Sequence, residues 1–539
     1  MSKWQTMDQL RDLTISLVEY ASVTGSEEEI GIMEFVEYEL SLLPYFKENP
    51  EYLHNHFTND GRKFVTALVK SKKPTAKTII IMGHLDVVDV DDYGEWKHLA
   101  FRPKELTEQM VRQQNHLPND VKEDIKNDEW LFGRGVMDMK AGIALCMSMI
   151  EAATNNEFDG NLLFLGVPDE EVDSLGMRTA TPVLVEFQEK HGLDYQLCWN
   201  TEPMFAKYPR DNNLYIYQGS VGKMLPGFYC YGEEAHVAEP FSGLNGNLMT
   251  SVLTEMIELN PIFSENVSGE RTPPPSTLIQ KDLKLDYSVQ IPHTAVAIYN
   301  LLTMKKSVDQ VTEDLLKTAR AAAKKISSIY QEREKTFSSS LDYEPQHREI
   351  RVMTFIDLCR HAVKLVGKEE VERRISFIHA HELKGDDREK TILTVNEIAT
   401  LCKDLTPMIV LFYAPPYYPP VSSSENTLVQ SLSESILKKG KEEGDMSLEI
   451  VNYFPGLSDL SYTALEEPAS RLQGMIENMP IWGKGYDLPL SSMDKLTMPI
   501  FNFGPVGKDP HSWTERLNVT KSFDKLPKLM KQGIQEVFS

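Results

Sequence analysis

The chain has 539 residues, 41% of them hydrophobic and 25% charged, which excludes a disordered or fibrous protein and is too long for one ordinary core. Acidic residues outnumber basic ones 80 to 56, a formal charge of −24. A surface of that sign repels phosphate backbones, so nucleic acid is not an expected partner.

Cys146, Cys198, Cys230, Cys359 and Cys402 are scattered, odd in number and never in a CxxC, which indicates neither a disulfide framework nor a thiolate zinc site. No stretch approaches the roughly 20 apolar residues that span a bilayer, and the start has no continuous apolar run. The expectation is a cytoplasmic protein without a membrane partner.

From about Thr6 to Leu43 apolar and polar residues alternate at helical spacing, with Ser26 before Glu27, Glu28 and Glu29 as a capping signal for a second helix. Lys63 to Val69 and Thr78 to Met82 read as strands of an α/β domain. The second runs into Met82-Gly-His84-Leu-Asp86-Val-Val88. A His-x-Asp at the end of a buried strand lies where open α/β sheets bind ligands, and imidazole is a favoured zinc ligand. His84 is thus a candidate metal ligand with Asp86 beside it; an ordinary strand-end turn is the plain alternative.

Tyr93 to Asp128 is polar, interrupted by proline and unlike core. In Trp130-Leu-Phe-Gly-Arg-Gly-Val-Met-Asp138, two glycines precede an acid at the start of the buried-looking helix from Lys140 to Ala153, where Asp138 could also serve as an N-cap. Asn161 to Val167 is an apolar strand ending in Glu170 and Glu171. Two adjacent carboxylates there repel unless a cation or a shared proton offsets them, although solvated loop acids remain open. Tyr195 to Trp199 repeats the pattern, followed by Asn200-Thr-Glu202-Pro.

From about Asn213 the order becomes strand, strand, helix, strand, helix, fitting a small sheet with its helices on one face. Ser339 to Asp404 adds mainly helical patterning, and His379-Ala-His381 lacks an acidic ligand at compatible spacing. The boundaries expected are 1–212 and 406–539 for one α/β domain in two parts, a mixed sheet flanked by helices, and 213–405 for an inserted α+β domain enlarged by extra helices. The last core strand, Met498 to Phe503, leads to His511 at another strand exit.

The segments GHLDVV, GRGVMDMKAG, PDEEVDSLG, NTEP and GPVGKDPHSWTERL, with FPGLSDLSYTA, resemble in order the M20 family of dizinc peptidases and amidohydrolases. The length is similar to that of the large arginine-utilisation-associated branch. The resemblance implies a metal-dependent hydrolase cleaving an amide or peptide bond in a short peptide or N-acyl amino acid, linked to amino-acid catabolism. It implies that Asp138 bridges two divalent ions, that His84 and Glu202 complete one coordination shell and Glu171 and His511 the other, that Asp86 orients His84, and that Glu170 is the general base. Zinc suits these nitrogen and oxygen donors, as do manganese and cobalt. It also implies a cis Asp138-Met139 peptide. In GEEAHVAEPFSGLNGN, which resembles the family's lid motif, His236 is implied as a transition-state hydrogen-bond donor, reaching the partner subunit in dimeric members; a homodimer is therefore among the expectations. Ala297-Ile-Tyr-Asn300-Leu lacks the Arg of the family's Asn-x-Arg, which removes that route to carboxylate recognition. The competing reading is an inactive binding protein on the same fold. Its mark would be a missing ligand or base, and none is missing.

Overall fold

Thr78 to Ile81 does form strand, as β-branched residues in a buried run favour, within the strand Lys77–His84. The computed structural model describes residues 2–127, 129–208, 211, 213–284, 286, 288–339, 348–380, 386–444 and 446–539. His381 and part of the helical region after Ser339 lie outside the described residues. The chain divides into two compact units, one of residues 1–221, 421–466 and 489–539, the other of 222–420 and 467–488.

The first unit is built on an eight-stranded mixed sheet. In spatial order its strands are Leu53–Phe57, Lys63–Val69, Asn161–Val167, Lys77–His84, Asp194–Asn200, Ile500–Asn502, Leu214–Tyr217 and Leu448–Val451. Lys77–His84 runs parallel to both of its neighbours, and Ile500–Asn502 runs parallel to Asp194–Asn200. Their C-terminal ends therefore open on one edge, the edge on which such sheets carry ligands. Ile79 and Ile81 belong to the core that includes the helices Met7–Val18, Lys140–Thr154 and Leu526–Phe538. Ile80 and Met82, equally buried, point to the opposite face, which explains the unbroken apolar run.

Two local expectations differ from the structure. The second helix is Glu28–Ser41, preceded by Glu27 without a side-chain cap, because Glu29 turns to the Gly25 N–H (2.6 Å) and to Arg62. Tyr93 to Asp128, expected to be unlike core, contains the helices Pro103–Arg112 and Asn119–Asp124. Leu106, Met110, Leu117 and Val121 bury against Tyr93, Ala100 and Phe132 to make a small core of their own. Leu106 and Met110, one turn apart on the first of these helices, supply an apolar stripe within a polar sequence. Nearby, Gly507–Lys508, Arg516–Asn518 and Trp130–Phe132 form a three-stranded sheet.

The second unit holds a five-stranded sheet, in the order Ser276–Asp282, Thr294–Thr303, Gly222–Tyr231, Met408–Tyr418, Arg351–Thr354. Met408–Tyr418, assigned by the sequence boundaries to the last α/β segment, instead pairs antiparallel with Gly222–Tyr231. An apolar strand carries no mark of which sheet it will join. On one face Tyr299 OH lies 2.9 Å from Thr254 Oγ1 of helix Gly246–Ile257. On the other, Tyr229 OH donates to Asn396 Oδ1 at 2.8 Å. Asn396 belongs to Asp387–Leu401, one of three added helices with Phe355–Val366 and Lys368–Ala380 whose residues join the core on that face. The added helices thus cover the face that the simple strand and helix order leaves open.

Candidate metal centre

His84 is the last residue of its strand and is buried. Gly83 before it lets Met139 approach, since a Cβ there would meet Met139 Cε at 2.3 Å. His84 Nδ1 lies 3.0 Å from the Asp86 carbonyl oxygen and 3.5 Å from Asp86 Oδ1. A ring N–H donated to that carbonyl leaves the Nε2 lone pair free to ligate. Nε2 faces Asp138 Oδ1 at 3.3 Å and Glu202 Oε1 at 3.5 Å. Asp138 does not cap the following helix with its side chain; its second oxygen, Oδ2, faces His511 Nε2 at 3.3 Å. His511 Nε2 also lies 3.0 Å from Glu171 Oε1. The Asp138-Met139 peptide is cis.

The buried Asp86 carboxylate does more than flank His84. Its Oδ1 accepts from the Glu170 N–H at 3.1 Å, and its Oδ2 from the Glu171 N–H at 3.2 Å and Thr24 Oγ1 at 2.8 Å. One carboxylate thereby sets the backbone of both acids.

Burial raises Glu170 well above the usual carboxylate range, and Glu202, Asp459 and Glu171 add to the rise against the opposing charge of His84. Glu202 is raised in the same way, by burial and by Asp138, Glu171 and Asp459. Burial disfavours the His511 cation, yet Asp138 and Glu171 outweigh it and lift the ring to about 11. Asp138 is lowered because both histidines offset its burial. These opposed shifts describe an anionic cluster that a cation would neutralise.

The donor set fits divalent metal. Around a tetrahedral ion with donors at roughly 2.1 Å, neighbouring donor atoms stand about 3.4 Å apart. The separations here, 3.0, 3.3, 3.3 and 3.5 Å, match. Glu202 Oε1 is buried and finds no hydrogen-bond partner among the described residues. Ligand atoms of His84, Asp138 and Glu171 lie within 4.8 Å of one another, as do those of His84, Glu170 and Glu202. The structure therefore brings together His84, Asp138, Glu170, Glu171, Glu202 and His511, with Asp86 at the base of the group. His236 belongs to the second unit, where it is exposed, bridges to Gln290, and accepts the Ala238 N–H on Nδ1 at 3.1 Å.

Three residues escaped the sequence reading. Asp459, buried in the GLSD turn, acts electrostatically on Glu170, Glu202 and His84. Glu515 accepts the N–H groups of Met137 (3.1 Å) and Asp138 (3.3 Å) on Oε1, while its Oε2 meets Arg134 Nη1 at 2.9 Å. All three lie inside quoted motifs, and their charge in otherwise buried turns was the available signal.

The family model for peptidase family M20/M25/M40 matches residues 80–535. The chain is 46% identical over 527 residues to uncharacterized protein YqjN of Bacillus subtilis (strain 168), covering 98% of this chain and 96% of the relative. It is 31% identical to Protein RocB of the same organism over 546 residues, covering 99% and 95%. The fold is similar to that of aminopeptidase PepT from Bacillus cereus, with a TM-score of 0.52, 11% identity, and 99% and 100% of the two chains covered. No helix among the described residues is long and apolar enough to cross a membrane. With donor geometry and whole-length relatives in agreement, the chain belongs to peptidase family M20/M25/M40 and is a hydrolase of that metal-dependent type.

Proposed function

We propose that the chain hydrolyses an amide or peptide bond of a short peptide or N-acyl amino acid, with Glu170 as general base. The observation that carries this is Asp138, which faces both His84 and His511, with a Glu170 carboxylate oxygen within 4.8 Å of ligand atoms of His84 and Glu202. Two divalent ions, zinc or else manganese or cobalt, held by His84, Asp138, Glu171, Glu202 and His511 would polarise the scissile carbonyl and acidify a water. Glu170 takes the proton from the attacking water and delivers it to the departing amine nitrogen. Asp86 keeps that base aimed through its two backbone hydrogen bonds. His236, whose Nδ1 accepts a hydrogen bond, carries its proton on Nε2 and is assigned as the donor that stabilises the developing oxyanion. The second unit, residues 222–420 and 467–488 rather than 213–405, acts as the lid, and a homodimer and a place in amino-acid catabolism complete the reading.

Purified protein reconstituted with Zn²⁺, Mn²⁺ or Co²⁺ tests it against di- and tripeptides and N-acyl amino acids, arginine derivatives included. Turnover of at least one class, removed by chelation and restored by metal, is expected. Fully metallated protein that turns over none of them would favour a binding protein on the same fold.

A further inference from the structure

His84 is fixed at the end of a central strand, but the other histidine of the cluster has no such support: the His511 side chain is 47% exposed and sits in the loop between Gly507–Lys508 and Arg516–Asn518. Within that loop both Asp509 (φ 57°) and His511 (φ 60°) adopt the left-handed conformation, rare for residues with a Cβ. Something outside the loop must hold it, because such a backbone persists only where its surroundings over-determine it.

The surroundings converge on Arg516, which is fully buried. Its Nε donates to Asp124 Oδ2 at 2.8 Å, its Nη2 to Asp120 Oδ2 at 3.1 Å, and its Nη1 to the Thr514 carbonyl at 3.1 Å and to the Asp509 carboxylate. Thr514 Oγ1 donates to the same Asp509 oxygen at 2.8 Å. Lys508 and Arg516 are register partners across the neck of the loop, and Lys508 Nζ reaches both oxygens of Asp124 at 3.0 Å. The ring of Trp130 lies 5.1 Å from Lys508 Nζ and 5.6 Å from the Arg516 guanidinium carbon. One acidic helix, Asn119–Asp124, therefore holds both ends of the His511 loop, one through the Lys508 ammonium and the other through the planar Arg516 fork, whose geometry a point charge could not replace.

We propose that Arg516 is a positioning residue for His511, and that Asp120 and Asp124, through Arg516 and Lys508, set the distance at which His511 Nε2 meets Asp138 and Glu171. The helical segment between Tyr93 and Asp128 thereby tunes the metal position that includes His511. This rests on the metal-centre reading above, and it extends that reading by giving a function to a segment that contributes no ligand.

Arg516→Ala removes a buried charge and can fail to fold, so the test uses the full-length Asp120→Asn/Asp124→Asn variant, altered on the outer side of the fork. Metal-free protein is titrated with Zn²⁺ against a chromogenic chelator, and its thermal unfolding midpoint is recorded. We expect wild type to bind two equivalents, and the variant to keep one at wild-type affinity while the other weakens by roughly 10–100-fold, as loss of an orienting partner commonly does. Arg516→Lys, if it folds, should weaken the same equivalent alone. Two equivalents at wild-type affinity in the Asn variant would overturn the proposal, as would equal weakening of both accompanied by a lower midpoint, the pattern of a merely structural role. Wild type that binds no second equivalent would overturn the metal-centre reading itself, and the inference with it.

Discussion

Asp138 presents Oδ1 to His84 Nε2 and Oδ2 to His511 Nε2, each at 3.3 Å. The proposed role of Asp138 as a bridge between two metal positions is drawn from this arrangement, in which its two oxygens face different histidines. The two histidines come from opposite ends of the chain, and only the sheet edge brings them to one acid. Most of the behaviour expected of this protein follows from that arrangement.

Glu170 shares the backbone support of Glu171 and is proposed as the general base. Glu170→Gln keeps the size and removes the base. Metal content should stay at the wild-type value while kcat falls by about 10²–10⁴-fold. Near-normal turnover in the metal-replete variant would reduce Glu170 to a bystander acid.

Glu515 and Arg134 are both buried, and Glu515 alone receives the N–H groups of Met137 and Asp138. Glu515→Ala leaves a buried guanidinium short of a partner, a change that costs about 3–5 kcal/mol. Denaturant unfolding of the metal-free protein measures it, and a loss below about 1 kcal/mol would show that Asp92 and solvent suffice for Arg134.

These dependencies mark what could be read in the sequence. His84, Glu171, Glu202 and His511 stood out as candidates because each comes after an apolar strand, but their assignment as ligands came from the family resemblance. Asp138 read locally as an N-cap, and only the family resemblance marked it as a metal ligand; the structure shows no side-chain cap there. Arg134 with Glu515, and Asp120 with Arg516, were not, since their pairings join residues 381 and 396 positions apart and local pattern says nothing about such distances. The strand Met408–Tyr418 was misplaced for a related reason: buried on every residue, it suits either sheet, and only its partner Gly222–Tyr231 decides. Ser26 misled because the acids after it look like a first turn, whereas Glu29 is spent on Gly25 and Arg62.

A pH effect separate from the metal centre is expected at His56. Its ring stacks on Phe64 at 4.7 Å, with Nε2 2.8 Å from Thr66 Oγ1. Burial, helped by the charges of His54 and Lys190, lowers its pKa from 6.5 to about 4. The unfolded ring therefore takes up protons in the window from pH 6.5 to 4 while the folded ring does not, so stability is lost as pH falls through that window. At about 1.4 kcal/mol per unit, reduced for partial exposure, the loss is on the order of 2 kcal/mol. Metal-free His56→Gln should show a shallower decline of unfolding free energy between pH 6.5 and 4. Parallel curves for the two proteins would contradict the assignment.

His236→Ala tests the lid residue. With a verified substrate, kcat should fall by about 10²–10³-fold with little change in metal content, as removal of an oxyanion donor does. An unchanged kcat would remove His236 from the chemistry while leaving the division into two units intact.

The most direct measurement is the metal content of wild type and Asp138→Ala after identical loading and removal of free metal. Asp138 faces both histidines at 3.3 Å, so its loss should empty both positions: elemental analysis should give close to two equivalents per chain for wild type and well under one for the variant, with the fold retained by circular dichroism. Two equivalents retained in Asp138→Ala would contradict the shared centre from which the proposed chemistry is argued.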